Sequence, residues 1–262
     1  MKERFCIDFN LDRFADSYKD KFALYKEAGF NRISLAGSGY KGFMPTERII
    51  QFVKDANEAG LKVDNYHPYF ADNKYLWYNC PERQGVIDSH LEAIKACGEA
   101  GIDSIVIHPT SGPNNLLVSG LGLDAFEQFV EAGEKYNVVI CIENLRTHVF
   151  HEFLFKNIHS PYLGTCHDTG HEFAFNKGME FPRKYGPLTF THIHDNDGFG
   201  DLHHLPGDND LNFKAVARMY KEIGYEGPLH LEAGVKEENY NGMDMLSYLK
   251  EAYQRLINVF GE

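Results

Sequence analysis

The feature that most constrains the fold is a regular alternation of short β-rich runs and helical patterns along all 262 residues. The helical segments, such as "TERIIQFVKDANEAG" from Thr46, space apolar residues three and four apart and end in glycine. The β-rich runs are nearly continuous apolar stretches, which is typical of a parallel sheet covered by helices. They begin at Phe5, Arg32, Lys62, Ser104, Val138, Leu163, Leu188 and Pro228. Eight such units in a chain of this length predict an α/β fold, a single (β/α)8 barrel over residues 1–262, with strand eight pairing with strand one.

An open, doubly wound sheet is the alternative fold. Such a sheet usually carries a glycine-rich phosphate turn directly after its first strand. The first strand here continues as "CIDFNLDRF" from Cys6, which contains no glycine. The sequence therefore favours the closed barrel.

Composition and charge narrow the class of protein further. No apolar run approaches the roughly 20 residues that span a bilayer, and the start "MKERFCIDFN" lacks a secretory apolar stretch. The five cysteines form no CxxC pair, so we expect a reduced, cytoplasmic protein. A net charge of −12 disfavours a nucleic-acid partner without excluding one, because phosphate contacts need a basic surface. The expected partner is a small molecule rather than a membrane. The sequence leaves open whether the chain forms a homo-oligomer.

Six consecutive predicted strands, from the third to the eighth, end in side chains that can bind metals. Because the carboxyl ends of barrel strands converge on one face, where active sites lie, these groups should share one small volume. Singly, each has an ordinary explanation, such as a strand-end histidine, a helix cap or loop polarity. The nine residues are His67, His108, Glu143, Asp168, His171, His194, Asp201, His203 and Glu232.

Taken together, these groups indicate a divalent metal centre. Four carboxylates this close would repel one another and hold protons unless a cation lay between them. Clustered Asp, Glu and His suit Zn²⁺ or Mn²⁺, with Co²⁺, Fe²⁺ or Mg²⁺ as alternatives. We expect His192 to support the ligands from a neighbouring position, and His204 could replace His203 as a ligand.

The motifs "IEN", "DTGH", "HIHDNDG", "DLHHLPGD" and "LEAG" together resemble the xylose isomerase-like TIM barrel superfamily. This superfamily includes the sugar phosphate isomerase/epimerase-like proteins and the abasic-site nucleases of the endonuclease IV type (AP endonuclease family 2). Resemblance to the sugar epimerases implies a four-ligand site of Glu143, Asp168, His194 and Glu232. Resemblance to the nucleases implies a trinuclear zinc site that uses all nine residues.

The motif "HIHDNDG" is more similar to the sugar isomerase branch than to the nuclease branch. Ketose 3-epimerases usually carry an arginine six residues after the strand-seven histidine, whereas Gly200 stands there, which counts against a typical activity of that kind. The loop "PYFADNKYLWYN" is aromatic, so Tyr69 and Trp77 are predicted to cover the barrel mouth or to stack on a sugar. Arg146 and Lys236, just beyond strands five and eight, are candidates for binding a hydroxyl, carboxylate or phosphate.

The sequence and the resemblance lead to a metal-dependent isomerase or epimerase of a sugar-like polyhydroxy carbonyl compound. Glu143 and Glu232 would transfer the proton next to the carbonyl, while the cation stabilises the enediolate. One alternative is a multinuclear zinc phosphodiesterase of the endonuclease IV type. Another is a metal-dependent dehydratase or lyase.

Overall fold

Eight parallel strands form the centre of the computed structural model, which describes residues 2–11, 18–37, 42–112, 117–178, 180–233 and 242–261. The strands are β1 Phe5–Asn10, β2 Arg32–Ala36, β3 Lys62–His67, β4 Ser104–Ile107, β5 Val139–Glu143, β6 Leu163–Asp168, β7 Leu188–His192 and β8 Leu229–Leu231. They pair in the order β7-β6-β5-β4-β3-β2-β1-β8. The predicted pairing of strand eight with strand one is confirmed.

The sheet closes between β7 and β8, at the point where β7 continues past its last residue. Ile193 forms a parallel bridge with Leu231. The amide of Ile193 donates to the carbonyl of His230 at 2.8 Å, and the amide of Glu232 donates to the carbonyl of Ile193 at 3.0 Å. These bonds complete the (β/α)8 barrel that the strand–helix alternation predicts.

Helices surround the barrel and alternate with the strands. The longer ones are α1 Tyr18–Ala28, α2 Thr46–Glu58, α3 Glu82–Ala100, α4 Gly120–Tyr136, α5 Val149–Asn157, α7 Phe213–Glu222 and α8 Met245–Phe260, and α6 is the short Phe181–Lys184. A helical turn, Thr169–His171, runs from the end of β6 into a π-helical segment, Glu172–Asn176. Within the described ranges, none of the helices combines the length and apolar character needed to span a bilayer.

Side-chain alternation along the strands separates two apolar regions. The larger one lies between the barrel and its helices, and β1 contributes Phe5, Ile7 and Phe9 to it. The smaller one comprises Val106, Cys141, Cys166 and Phe190, which lie on the opposite face of β4 to β7, inside the barrel. The strand residues that follow on this inner face, toward the carboxyl ends, are the metal-binding types.

Candidate metal centre and adjoining cleft

Glu143, the last residue of β5, is the centre of the polar cluster and is 1% exposed. Its Oε2 atom lies 3.3 Å from His67 Nε2, 3.1 Å from His108 Nε2 and 3.4 Å from His192 Nδ1. Its Oε1 atom lies 3.2 Å from His171 Nδ1. One buried carboxylate therefore contacts imidazoles from four parts of the barrel mouth.

A second group shares Glu143 and adds residues from β6, β7 and the end of β8. The ligand atoms of Glu143, Asp168, His192 and Glu232 all lie within 4.8 Å of one another. His192 Nδ1 is 3.2 Å from Glu232 Oε2, so the same nitrogen contacts both glutamates. Cations that bind here would be held by three carboxylates and one histidine.

A third group comprises His194, Asp201 and His203, whose ligand atoms also lie within 4.8 Å of one another. Asp201 Oδ1 is 3.2 Å from His203 Nε2, and the rings of His194 and His203 stack with centroids 4.1 Å apart. His171 connects this group to the first one, because its Nε2 lies 3.2 Å from Asp201 Oδ2. His194 also connects to the second group, through Asp168 Oδ1 at 3.0 Å.

Local hydrogen bonds fix the strand ends that carry these groups. The side chain of Asp168 caps the following turn by accepting from the amide of His171 at 2.6 Å. Asn144 bonds to both the amide and the carbonyl of Asp168, at 2.7 and 2.9 Å. The ends of β5 and β6 are thus tied together directly beside their ligand side chains.

The long loop after β7 has its own organising residue, Asp195. Its buried carboxylate accepts from the amides of Gly207, Asn209 and Leu211 at 2.9 to 3.1 Å. His203 in this loop has a φ of 53°, in the left-handed region that only a few non-glycine residues adopt. Residues held in such conformations cluster at functional sites, where the surrounding structure offsets the strain.

The electrostatics of the cluster favour charged carboxylates. Burial alone would raise the pKa of Glu143, but the neighbouring imidazoles of His108 and His192 outweigh burial and hold that pKa well below its usual range. Burial likewise opposes a charged His203, yet Asp201 and Glu232 raise its pKa to about 10. Burial also opposes a charged His171, yet Asp168 and Asp201 raise its pKa, so a cation that binds must displace protons from imidazoles of this kind.

Two observations indicate that these ligand atoms suit a divalent cation. Several buried polar atoms have no hydrogen-bond partner, namely Glu143 Oε2, Glu232 Oε2 and both ring nitrogens of His192. The nitrogens around Glu143 Oε2 lie at 3.1 to 3.4 Å. Tetrahedral ligands about 2.0–2.1 Å from a zinc ion are separated by roughly 3.3 Å. The spacing of these atoms therefore fits that of ligands around a shared ion.

All nine side chains selected from the sequence lie in this connected cluster, but the grouping differs from the expected one. The four-ligand set implied by the resemblance contains His194, whereas the compact group in the structure contains His192. The spacing in "HIH" accounts for the difference, since strand residues two apart face the same side of a sheet. Both histidines point inward, and the sequence alone could not rank them.

One carboxylate–imidazole pair was missed by the sequence reasoning. Asp8 on β1 and His230 on β8 face each other inside the barrel, with Oδ1 and Nε2 2.9 Å apart. The rings of His230 and His192 are 5.1 Å apart, so this pair lies directly below the second group. The two-residue alternation of side chains along "FCIDF" could have revealed Asp8, because it places Asp8 on the same face of the strand as Cys6.

A cleft of about 330 Å³ opens beside the cluster. Its lining contains three of the nine metal-site residues, which are His108, His171 and Asp201. The remaining lining residues are Phe70, Thr110, Ser111, Gly112, Leu145, Arg146, Thr147 and Phe175. Of the predicted substrate contacts, Arg146 lines this cleft, and the aromatic residues that do so are Phe70 and Phe175.

Two predicted substrate contacts lie elsewhere, and a third cannot be placed. Trp77 is 1% exposed and packs in the core, where its indole Nε1 donates to the carbonyl of Pro109 at 2.7 Å. Tyr69 contacts Phe43 and lines a separate surface hollow above α3. We therefore correct the assignment of Trp77, whose buried side chain cannot reach a substrate, whereas the role of Tyr69 stays a prediction. Lys236 lies outside the described residues.

A sequence profile described as "Xylose isomerase-like TIM barrel" matches residues 22–252. An uncharacterized protein of Methanocaldococcus jannaschii is 28% identical over 197 residues, which cover 69% of this chain and 66% of that protein. An uncharacterized protein of Sinorhizobium fredii is 24% identical over 255 residues, which cover 84% and 82%.

Several similar solved structures are described as sugar epimerases or epimerase-like proteins. A D-tagatose 3-epimerase-like protein has a TM-score of 0.74 at 22% identity, covering 96% of this chain and 98% of that one. D-psicose 3-epimerase from Clostridium cellulolyticum H10 has a TM-score of 0.77 at 15% identity, with 97% of each chain covered. The 3-keto-D-glucoside 4-epimerase of E. coli has a TM-score of 0.72 at 17% identity, covering 97% and 99%. At these identities the similarity establishes the fold alone. Because the family profile extends over most of the sequence, the chain belongs to the xylose isomerase-like TIM barrel family.

Proposed function

We propose that the protein is a metal-dependent isomerase or epimerase of a small polyhydroxy carbonyl compound. The observation that carries the proposal is the convergence of Glu143 and Glu232 on one atom, His192 Nδ1, at 3.4 and 3.2 Å. The adjoining cleft of about 330 Å³ is at the small end of ligand pockets, which suits a monosaccharide. Its mixture of hydroxyl and aromatic side chains suits a polar, ring-sized substrate.

Glu143, Asp168 and Glu232 would hold the cation, together with His192 or His194. A divalent ion bound there supplies Lewis-acid polarisation of a carbonyl oxygen. The protein's own part is to hold three carboxylates close together without protons. The low pKa of Glu143, maintained against burial by His108 and His192, serves that purpose.

The two glutamates differ in access, and this assigns their roles. The Glu232 side chain is 15% exposed, whereas that of Glu143 is 1% exposed and enclosed by imidazoles. The carboxylate of Glu232, the more accessible of the two, therefore accepts the proton from the carbon next to the carbonyl, and the electron pair left behind forms the enediolate. Return of a proton to the former carbonyl carbon, with the hydroxyl proton passing to the former carbonyl oxygen, gives isomerisation. Return of the proton to the same carbon from the opposite face gives epimerisation. Glu143, whose Oε2 faces the same imidazole, is the second carboxylate of this exchange.

Deuterium uptake from solvent tests the reaction. Metal-loaded protein is incubated in D₂O with a panel of ketoses, aldoses, inosose-type compounds and hydroxypyruvate. We expect exchange of the hydrogen next to the carbonyl, its loss in Glu232→Gln, and its retention in the control Glu226→Gln, which alters an exposed glutamate remote from the site. Exchange that survives Glu232→Gln at the wild-type rate would rule out this residue as the base.

The three overlapping ligand groups support a second candidate, a multinuclear phosphodiesterase of the abasic-site nuclease type. Several ions would activate water and neutralise the leaving oxygen in such an enzyme. The net charge of −12 weighs against a DNA substrate. An abasic-site duplex is therefore included in the panel, and its cleavage without deuterium uptake by any sugar would reverse the ranking.

A further inference from the structure

We propose that Arg146 forms a subsite for an oxyanion group, a phosphate or a carboxylate, on the substrate. This inference rests on the proposed function and narrows its substrate class to acidic sugars. It is carried by the position of the arginine in the cleft, by the way its guanidinium is held, and by the charge of its surroundings.

Arg146 shares the cleft with the metal centre. Its guanidinium carbon lies 4.0 Å from the centroid of the Phe175 ring, and that ring lies 5.7 Å from the ring of His171. The guanidinium and His171 are therefore separated by less than about 10 Å, because these two contacts join them. A pentose or hexose with a terminal phosphate can bridge such a distance, with its reacting end toward the metal ligands.

The guanidinium is held by stacking rather than by ion pairs. Other arginines are occupied: Arg32 binds Asp64 with two nitrogens, and Arg183 binds Glu180 and Glu222. Among the described residues, no carboxylate forms an ion pair with Arg146. Contact with the face of an aromatic ring uses the π surface of a guanidinium and leaves its N–H donors available to an anion. This fork matches the two oxygens of a carboxylate or phosphate.

The two residues that precede Arg146 are held by hydrogen bonds. Asn176 Nδ2 donates to the carbonyl of Leu145 at 3.1 Å, and His171 Nδ1 lies 2.9 Å from the carbonyl of Asn144. Both partners belong to the helical segment after β6, which also supplies Phe175. A subsite positioned in this way loses little conformational entropy when it binds an anion.

The protein is acidic, so a single arginine in the lining of the cleft is significant. The chain carries a net charge of −12, and Asp201 also lines the cleft. Arg146 is the sole cationic side chain among the described residues that line it, apart from its histidines. Asp201 is already paired with His171 and His203, so among the described lining residues Arg146 is the cation left available to an anionic group. A neutral sugar would need no such cation.

Binding of inorganic phosphate tests the subsite directly. Calorimetric titrations compare metal-loaded wild type with Arg146→Gln, Arg146→Lys and the control Arg218→Gln, which removes the same charge from an exposed position on α7. We expect the Kd to rise about 10- to 100-fold in Arg146→Gln, by the usual worth of a charge-assisted hydrogen bond. Arg146→Lys should retain part of the affinity, and Arg218→Gln all of it. Equal Kd values for wild type and Arg146→Gln, or equal losses in both glutamine variants, would overturn the subsite.

Matched substrates separate this inference from the proposed reaction. Deuterium exchange is measured on neutral ketoses, on their terminal phosphates and on the corresponding sugar acids, and the last two sets distinguish phosphate from carboxylate. Arg146→Gln should lower kcat/KM for one charged set about 10- to 100-fold and leave the neutral sugars unchanged. Phosphate binding through Arg146 without exchange on any sugar would reject the reaction and keep the subsite. Exchange on neutral sugars that charged sugars do not improve would reject the subsite and keep the reaction.

Discussion

Gly170 offers a sharp test of the metal centre, because it allows one ligand to be displaced without altering any ligand atom. Gly170 lies in the helical turn Thr169–His171, and its φ is not in the left-handed region, so alanine suits the backbone. A Cβ atom there would lie 2.0 Å from His194 Cε1 and 2.5 Å from His194 Nδ1. Ordinary contact begins near 3.4 Å, so the imidazole must move by more than 1 Å.

That movement would break the contacts of His194 with Asp168, at 3.0 and 3.1 Å, and its stacking on His203. Because disturbing the groups that orient a metal ligand typically costs about 10- to 100-fold in metal affinity, we expect the Kd for zinc to rise by about that factor in Gly170→Ala. Overpacking should also lower the free energy of unfolding by about 1–3 kcal/mol. Isothermal titration of metal-stripped protein with Zn²⁺ measures the first effect, and urea unfolding the second.

Gly85→Ala is the matched control. Gly85 lies in the exposed part of α3, and an added Cβ would meet nothing within 4 Å. This variant should bind zinc as wild type does and should gain up to about 1 kcal/mol of stability, since alanine favours a helix over glycine. A folded Gly170→Ala protein with wild-type zinc affinity and stoichiometry would refute the placement of His194 among the ligands.

Three further predictions follow from single contacts. Trp77→Phe should lower the free energy of unfolding by about 1–3 kcal/mol in urea melts, because the carbonyl of Pro109 loses its buried donor, while zinc binding is unchanged. Glu232→Gln should reduce the metal content measured by elemental analysis yet leave the circular dichroism of the barrel intact; full metal content would exclude Glu232 as a ligand. Burial opposes the charge of Asp55, but Lys19 and Tyr18 outweigh it and lower its pKa below 3.8. Its stabilisation is therefore complete above that pH and lost as pH falls through the folded value, so Asp55→Asn should flatten the acid limb of the stability profile below pH 3.8.

The sequence by itself determined the barrel and the location of the site. Strand and helix periods are local properties, so eight repeats of the two patterns predict the (β/α)8 architecture without knowledge of any contact. Parallel strands in a barrel must end on the same face, so residues such as His67, Glu143 and Glu232 converge wherever the strands are correctly identified. This is why nine separated side chains could be assigned to one cluster.

Only the tertiary structure decided which side chains contact one another. The inward period places both His192 and His194 in the barrel mouth, and the choice between them depends on how β7 lies against β6 and β8. Trp77 stands in an aromatic loop that suggests a lid, yet the loop turns it into the core beneath α4 and α5. Likewise, Arg146 contacts Phe175, although Arg146 follows β5 and Phe175 follows β6. Such contacts depend on register and loop path, which are fixed by the packing of the whole chain and are not encoded in any local pattern.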